Sequence, residues 1–130
     1  MRVTAAIFRK GDCVMLMRRG PNEPFPGQWE YPGGKFEPGE TGPQCLMREL
    51  FEELGINASV GDLVTVATHT TDSGKTFELH AYEILRYTGD IELRVHDMMK
   101  WVPMHQLLAH PQLPADLLVS RALVQQGKTK

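Results

Sequence analysis

The chain has 130 residues, enough for one hydrophobic core and short for two. Apolar residues make up 42% and charged residues 23%, the balance of an ordinary globular protein. A formal net charge of −2 excludes bulk basic binding to a nucleic acid polymer, and no apolar run approaches the roughly 20 residues a membrane helix needs.

The N-terminal stretch MRVTAAIFRKGD turns polar too early for a signal peptide and reads as a first strand. Residues 3–9 and 13–18 form a predicted strand pair joined by RKGD. Residues 20–28, GPNEPFPGQ, read as a surface loop, and WEYP as a short extended piece ending at Pro32. The Gly-rich stretch GGKFEPGET follows. The next segment predicts a helix over 42–54. Thr41 is its N-cap, Gln44 completes a capping box, and Gly55 is the stop. Leu46, Met47, Leu50 and Leu54 form the expected buried stripe, with Glu49, Glu52 and Glu53 on another face.

Residues 59–70 and 76–87 predict two longer strands around the turn TDSGK. Residues 91–94 and 98–102 are weaker strand candidates. PMHQLLAH predicts a short helix from Pro103, and LPADLLVSRALVQQ a last helix with Leu117, Leu118, Ala122 and Leu123 apolar. GKTK reads as a frayed tail. Strand pairs interrupted by single helices predict an α+β domain over residues 1–130, a mixed β-sheet packed between helices. Cys13 and Cys45 lack metal-binding or disulfide spacing and read as free thiols of a cytoplasmic protein.

The acidic turn of the 42–54 helix needs a reason. Two carboxylates about 5 Å apart repel by roughly 3 kcal/mol at an effective dielectric near 20. On an exposed helix that falls to a few tenths, and Arg48 can reach Glu52 at i, i+4. A solvated acidic face is therefore one reading. The other is a hard divalent cation, which takes oxygen ligands and shares substrate phosphates. A glycine turn ahead of the helix brings backbone carbonyls close. Lys35 and Arg19 are then placed to meet phosphate charge.

Gly34, five residues, Glu40, seven residues and RELFEELGI (Arg48 to Ile56) match every fixed position of the Nudix box. The chain thus resembles the Nudix hydrolase superfamily. WEYPGGKFEPGET, LHAYEI and LPAD resemble its MutT-like and CTP pyrophosphohydrolase branches. The resemblance implies a Nudix fold, an α/β/α sandwich, and a Mg²⁺ cofactor with Mn²⁺ as substitute. It implies hydrolysis of (deoxy)nucleoside triphosphates, 8-oxo-dGTP or CTP and dCTP analogues among them, to monophosphate and pyrophosphate. Glu52, Glu53 and the Gly33 carbonyl would hold metal. Glu49 would bind metal or act as general base, Glu40 would support the water network, and Arg48 would orient the glutamates. Lys35 and Arg19 would neutralise phosphate.

Related enzymes often carry a further glutamate ahead of the position of Trp101. Here that position holds Val95, or Lys100 by the MutT spacing, with Asp97 and His96 as candidate substitutes. Tyr31 is a candidate base-stacking ring. Asp116 either reads a base or N-caps the last helix. Other readings remain: hydrolysis of ADP-ribose or dinucleoside polyphosphates, and a non-catalytic base-recognition module. The retained box glutamates argue against the module. The expected partner is a small nucleotide, with no nucleic acid polymer and no membrane, and the protein a monomer or homodimer.

Overall fold

The computed structural model describes residues 1–128. The elements are β1 (Arg2–Ile7), β2 (Arg9–Lys10), β3 (Cys13–Arg19), β4 (Trp29–Glu30), α1 (Gly42–Leu54), β5 (Asn57–Thr70), β6 (Thr76–Thr88), β7 (His96–Pro103), a 3₁₀ helix (Met104–Ala109) and α2 (Pro114–Lys128). The 91–94 segment forms no strand. The first hairpin is tighter than expected: Arg9 and Lys10 pair with Val14 and Cys13, which leaves Gly11 and Asp12 as the turn. Gly11, at φ 58°, takes the left-handed conformation this turn requires. Gly127 and Lys128 continue α2 where a frayed tail was expected, and Thr129 and Lys130 lie outside the described residues.

The strands divide into two sheets. In one, β1 runs parallel to β6, and β5 lies antiparallel on the other edge of β6. In the other, β3 pairs antiparallel with β2, β4 and β7. Alternation along β1 and β3 explains why two cores form. Ala5, Ile7, Val14 and Leu16 face one way and pack with Val119 and Leu123 of α2. Ala6, Phe8, Met15 and Met17 face the other way and pack with Leu46, Leu50 and Leu54 of α1. The strands therefore lie between two helices in an α+β arrangement, mixed in strand direction, as the sequence implies.

Helix α1 corrects the expected stripe. Met47 is 40% exposed, while Cys45 is fully buried beside Leu46, Leu50 and Leu54. At about 100° per residue, Glu49 and Glu53 fall between Cys45 and Leu46 within the inward arc, not on another face. Met47 and Glu52 flank that arc on either side. Two carboxylates of the acidic turn thus point into the protein.

Candidate active site

The Gly-rich segment is laid along the free edge of β1. Ala6 N–H donates to Pro32 O at 2.8 Å, Thr4 N–H to Gly34 O at 2.8 Å, and Phe36 N–H to Arg2 O at 3.2 Å. Two glycines make this close approach feasible. A Cβ on Gly33 would lie 2.1 Å from Thr4 O, and one on Gly34 would lie 2.3 Å from the Glu49 carboxyl carbon. The segment is pressed between a strand edge and the inward side of α1.

Arg48 organises the carboxylates. Its Nε donates to Glu40 Oε2 at 2.8 Å and its Nη2 to Glu40 Oε1 at 2.9 Å, a two-point grip. Nη1 reaches Glu49 Oε1 at 2.9 Å and Glu52 Oε2 at 3.2 Å, and Nη2 also meets Lys35 O at 3.0 Å. The guanidinium, with the Glu37 N–H, holds the Glu40 carboxyl down to about 2. Its own pKa rises in return, chiefly through Glu40.

Glu53 stands apart. Its Oε2 is buried and has no hydrogen-bond partner among the described residues. Burial, with the nearby charges of Glu49 and Glu30, pushes its carboxyl up to about 8, partly offset by the Gly33 N–H. Burial likewise raises Glu49, against the pull of Arg48. A buried carboxylate oxygen with no donor is what a cation would satisfy. The available donors, Glu53, Glu49, Glu52 and the Gly33 carbonyl, are all oxygens, which suits a hard divalent ion. Among the described residues no three acidic, histidine or cysteine side chains already converge on one point. Arg48 holds Glu49 and Glu52.

A cleft of about 560 Å³, large enough for a nucleotide, is lined by Glu53, Gly33, Gly34, Lys35 and Asp116 among others. Lys35 and Arg19 both line it. Arg19, however, donates from Nη1 to both oxygens of Glu30 at 2.9 Å, and from Nε to Pro24 O. Most of its charge is already matched. Tyr31 does not offer a ring face to a base: it is 3% exposed, sits in the α2-side core, and its hydroxyl pairs with Ser120 Oγ at 2.6 Å. Burial raises its phenol pKa. Its backbone serves the cleft instead, donating to Asp116 Oδ1 at 2.9 Å. Asp116 is no N-cap, because Leu117 N–H already closes the first α2 turn onto Leu113 O. Burial, with the charge of Glu30, pushes its carboxyl up to about 8.

Glu30 was missed by the sequence reading. It lines the cleft, pairs with Arg19, and lies 2.9 Å from Nε2 of the buried His96. It also contributes to the raised pKa of both Glu53 and Asp116. Its only sequence signal was a carboxylate inside an aromatic extended stretch. Of the substitutes considered for the later glutamate, Asp97 pairs with Arg18 at 2.7 Å outside the cleft lining, and His96 is committed to Glu30. Val95 is fixed through its carbonyl to Gly20 N–H at 3.0 Å, and Lys100 is an exposed residue of β7.

The model of the NUDIX domain matches residues 1–123. The CTP pyrophosphohydrolase of Escherichia coli is 36% identical over 125 residues, covering 95% of this chain and 91% of that protein. A putative 8-oxo-dGTP diphosphatase 2 of Mycobacterium tuberculosis is 34% identical over 119 residues, covering 88% and 81%. Among solved structures, that of the E. coli ORF135 protein superposes with a TM-score of 0.87 at 33% identity, covering 99% of this chain and 91% of that one. The glycine turn, the Arg48 hub and the inward glutamates thus sit in a chain related over nearly its whole length to phosphoric anhydride hydrolases: it belongs to the Nudix hydrolase family.

Proposed function

We propose that the protein, as one domain over residues 1–130, is a Mg²⁺-dependent pyrophosphohydrolase of nucleoside triphosphates, with cytidine nucleotides as its preferred substrates. Nudix hydrolases in general need a divalent metal ion. Mg²⁺ is favoured here by the all-oxygen donor set, and Mn²⁺ is an acceptable substitute. One observation carries the reading: the unpartnered Glu53 oxygen belongs to a residue that lines the same cleft as Lys35 and Asp116.

Glu53, Glu52, Glu49 and the Gly33 carbonyl are the residues that would hold metal. When bound, the ion draws charge from the phosphate oxygens and lowers the pKa of coordinated water. The chain's own groups do the rest. Arg48 fixes Glu40, Glu49 and Glu52 relative to the glycine turn, which limits the reorganisation needed during reaction. Glu49 is the candidate general base where it does not hold metal. Lys35 supplies the positive charge that stabilises phosphate oxygens, and Arg19 adds a weaker contribution because Glu30 shares it.

A protonated Asp116 offers one donor and one acceptor side by side. That complements the N3 and N4 edge of cytosine. The name of the E. coli relative supports this choice. A second substrate, 8-oxo-dGTP, is favoured by the name of the mycobacterial relative, and the O6 and N1 edge of guanine also pairs an acceptor with a donor. The unpaired thiols Cys13 and Cys45 support a cytoplasmic setting.

The test is pyrophosphate release with Mg²⁺ from CTP, dCTP, 8-oxo-dGTP and the other triphosphates, with ADP-ribose alongside. Cytidine triphosphates are expected to lead. Glu53→Gln is expected to lower kcat more than about 100-fold with the circular dichroism spectrum unchanged. A variant as active as the parent, or ADP-ribose as the best substrate, overturns the reading.

A further inference from the structure

With Tyr31 buried, the face of a bound base needs another partner. Loop 20–28 carries a ring at the cleft. Phe25 lines the cleft and is 67% exposed. A single exposed aromatic is ordinary on a protein surface, and Phe51 on α1 is one. Phe25 differs in its backbone: among the described residues it is the one non-glycine with positive φ, at 55°. A bulky L residue enters that region only when its surroundings hold it there.

The loop supplies that hold. Pro24 and Pro26 flank the residue, and Arg19 Nε donates to Pro24 O. Arg19 N–H donates to Gln28 O at 2.8 Å, Gly27 N–H to Arg19 O at 2.9 Å, and Gln28 N–H to Phe25 O at 3.3 Å. Among the described residues no aromatic ring or cation stacks on Phe25. The ring fills no core. The positive-φ turn satisfies backbone groups of the loop, while the apolar ring it presents at the cleft packs into neither core cluster and, among the described residues, stacks on no other ring.

We infer that Phe25 is the stacking wall for the nucleobase, and so a residue that selects nucleosides over bare polyphosphates. The inference rests on the nucleotide reading above and extends it. Every base has a π-face, so stacking on Phe25 sets affinity for nucleosides as a class. Discrimination among bases is left to the edge that meets Asp116. Proline on both sides limits the loop's alternatives, so little conformational freedom is lost when a base arrives.

The test is calorimetric titration, with Mg²⁺, of the parent, Phe25→Ala and Phe25→Trp. The two ligands are α,β-methylene-CTP, which resists hydrolysis, and inorganic tripolyphosphate. Phe25→Ala is expected to weaken the CTP analogue about 5- to 150-fold and to leave tripolyphosphate unchanged. Phe25→Trp is expected to restore the nucleotide affinity. If Phe25→Ala leaves the CTP analogue unaffected, or weakens both ligands alike, the stacking role is overturned while the nucleotide reading stands. If the parent itself does not bind the CTP analogue, the nucleotide reading falls and the stacking role with it.

Discussion

Glu53, half-buried, and Asp116, buried, are the cleft carboxyls pushed up to about 8, well above their ordinary values. In both cases burial is the main cause, because a carboxylate loses its hydration there. For Asp116 the consequence for stability can be signed. Below about pH 4 the group is protonated in both folded and unfolded chains. Between about 4 and 8 the unfolded chain releases the proton and the folded chain retains it, so stability falls; above about 8 the loss levels off. Asp116→Asn keeps an acceptor for the Tyr31 N–H and does not titrate. The Tm of this variant minus that of the parent is therefore expected to grow from about pH 4 to about 8 and then hold constant. The parent's kcat/KM for CTP is expected to drop over the upper part of the same range, as the donor at Asp116 is lost. A pH-independent Tm difference would show that the carboxyl ionises in the folded chain as it does in water.

Helix α1 is closed at both ends by its own sequence. Thr41 Oγ1 accepts the Gln44 N–H at 3.2 Å, and Gln44 Oε1 accepts the Thr41 N–H at 3.0 Å. At the other end Gly55 takes φ 71° and donates to Phe51 O. Arg94 adds a cation there, donating from Nη1 to Phe51 O at 3.2 Å and Glu52 O at 3.1 Å. The carboxylates Glu49 and Glu53 belong to the middle and last turn, away from the N-cap. Thr41→Ala should therefore cost about 1 kcal/mol in urea denaturation while kcat at saturating CTP stays at the parent's level. A matching loss of kcat would mean that the N-terminal cap also positions the glutamates.

The Gly-rich segment lines the cleft at Gly33, Gly34 and Lys35 and lies between β1 on one side and α1 on the other. Gly33 and Gly34 separate these two contacts. A methyl on Gly33 strikes Thr4 O, which is backbone and cannot give way without disturbing the strand edge. Gly33→Ala is expected to destabilise the protein by about 2 kcal/mol or more, read as a lower Tm. A methyl on Gly34 strikes the end of the Glu49 side chain, which can swing aside. Gly34→Ala is expected to leave Tm almost unchanged and to lower kcat, because Glu49 leaves its place beside Arg48. If Gly34→Ala unfolds the protein as readily as Gly33→Ala, the Glu49 carboxylate is held more rigidly than its chemistry requires.

Local chemistry alone determined much of this protein. The caps of α1, the long β5–β6 hairpin and the box of Gly34, Glu40 and Arg48 to Ile56 are written in adjacent residues, because capping, turns and i, i+4 neighbours act over short distances. Only the tertiary structure decided which glutamates point inward, since the direction of a helical arc depends on what packs against it. Tertiary packing also buried the ring of Tyr31, matched Glu30 with Arg19 and His96, and left the ring of Phe25 exposed at the cleft. These outcomes join residues far apart in the chain. Their cause is the balance of desolvation against pairing at one place in space, and no short stretch of sequence contains both sides of that balance.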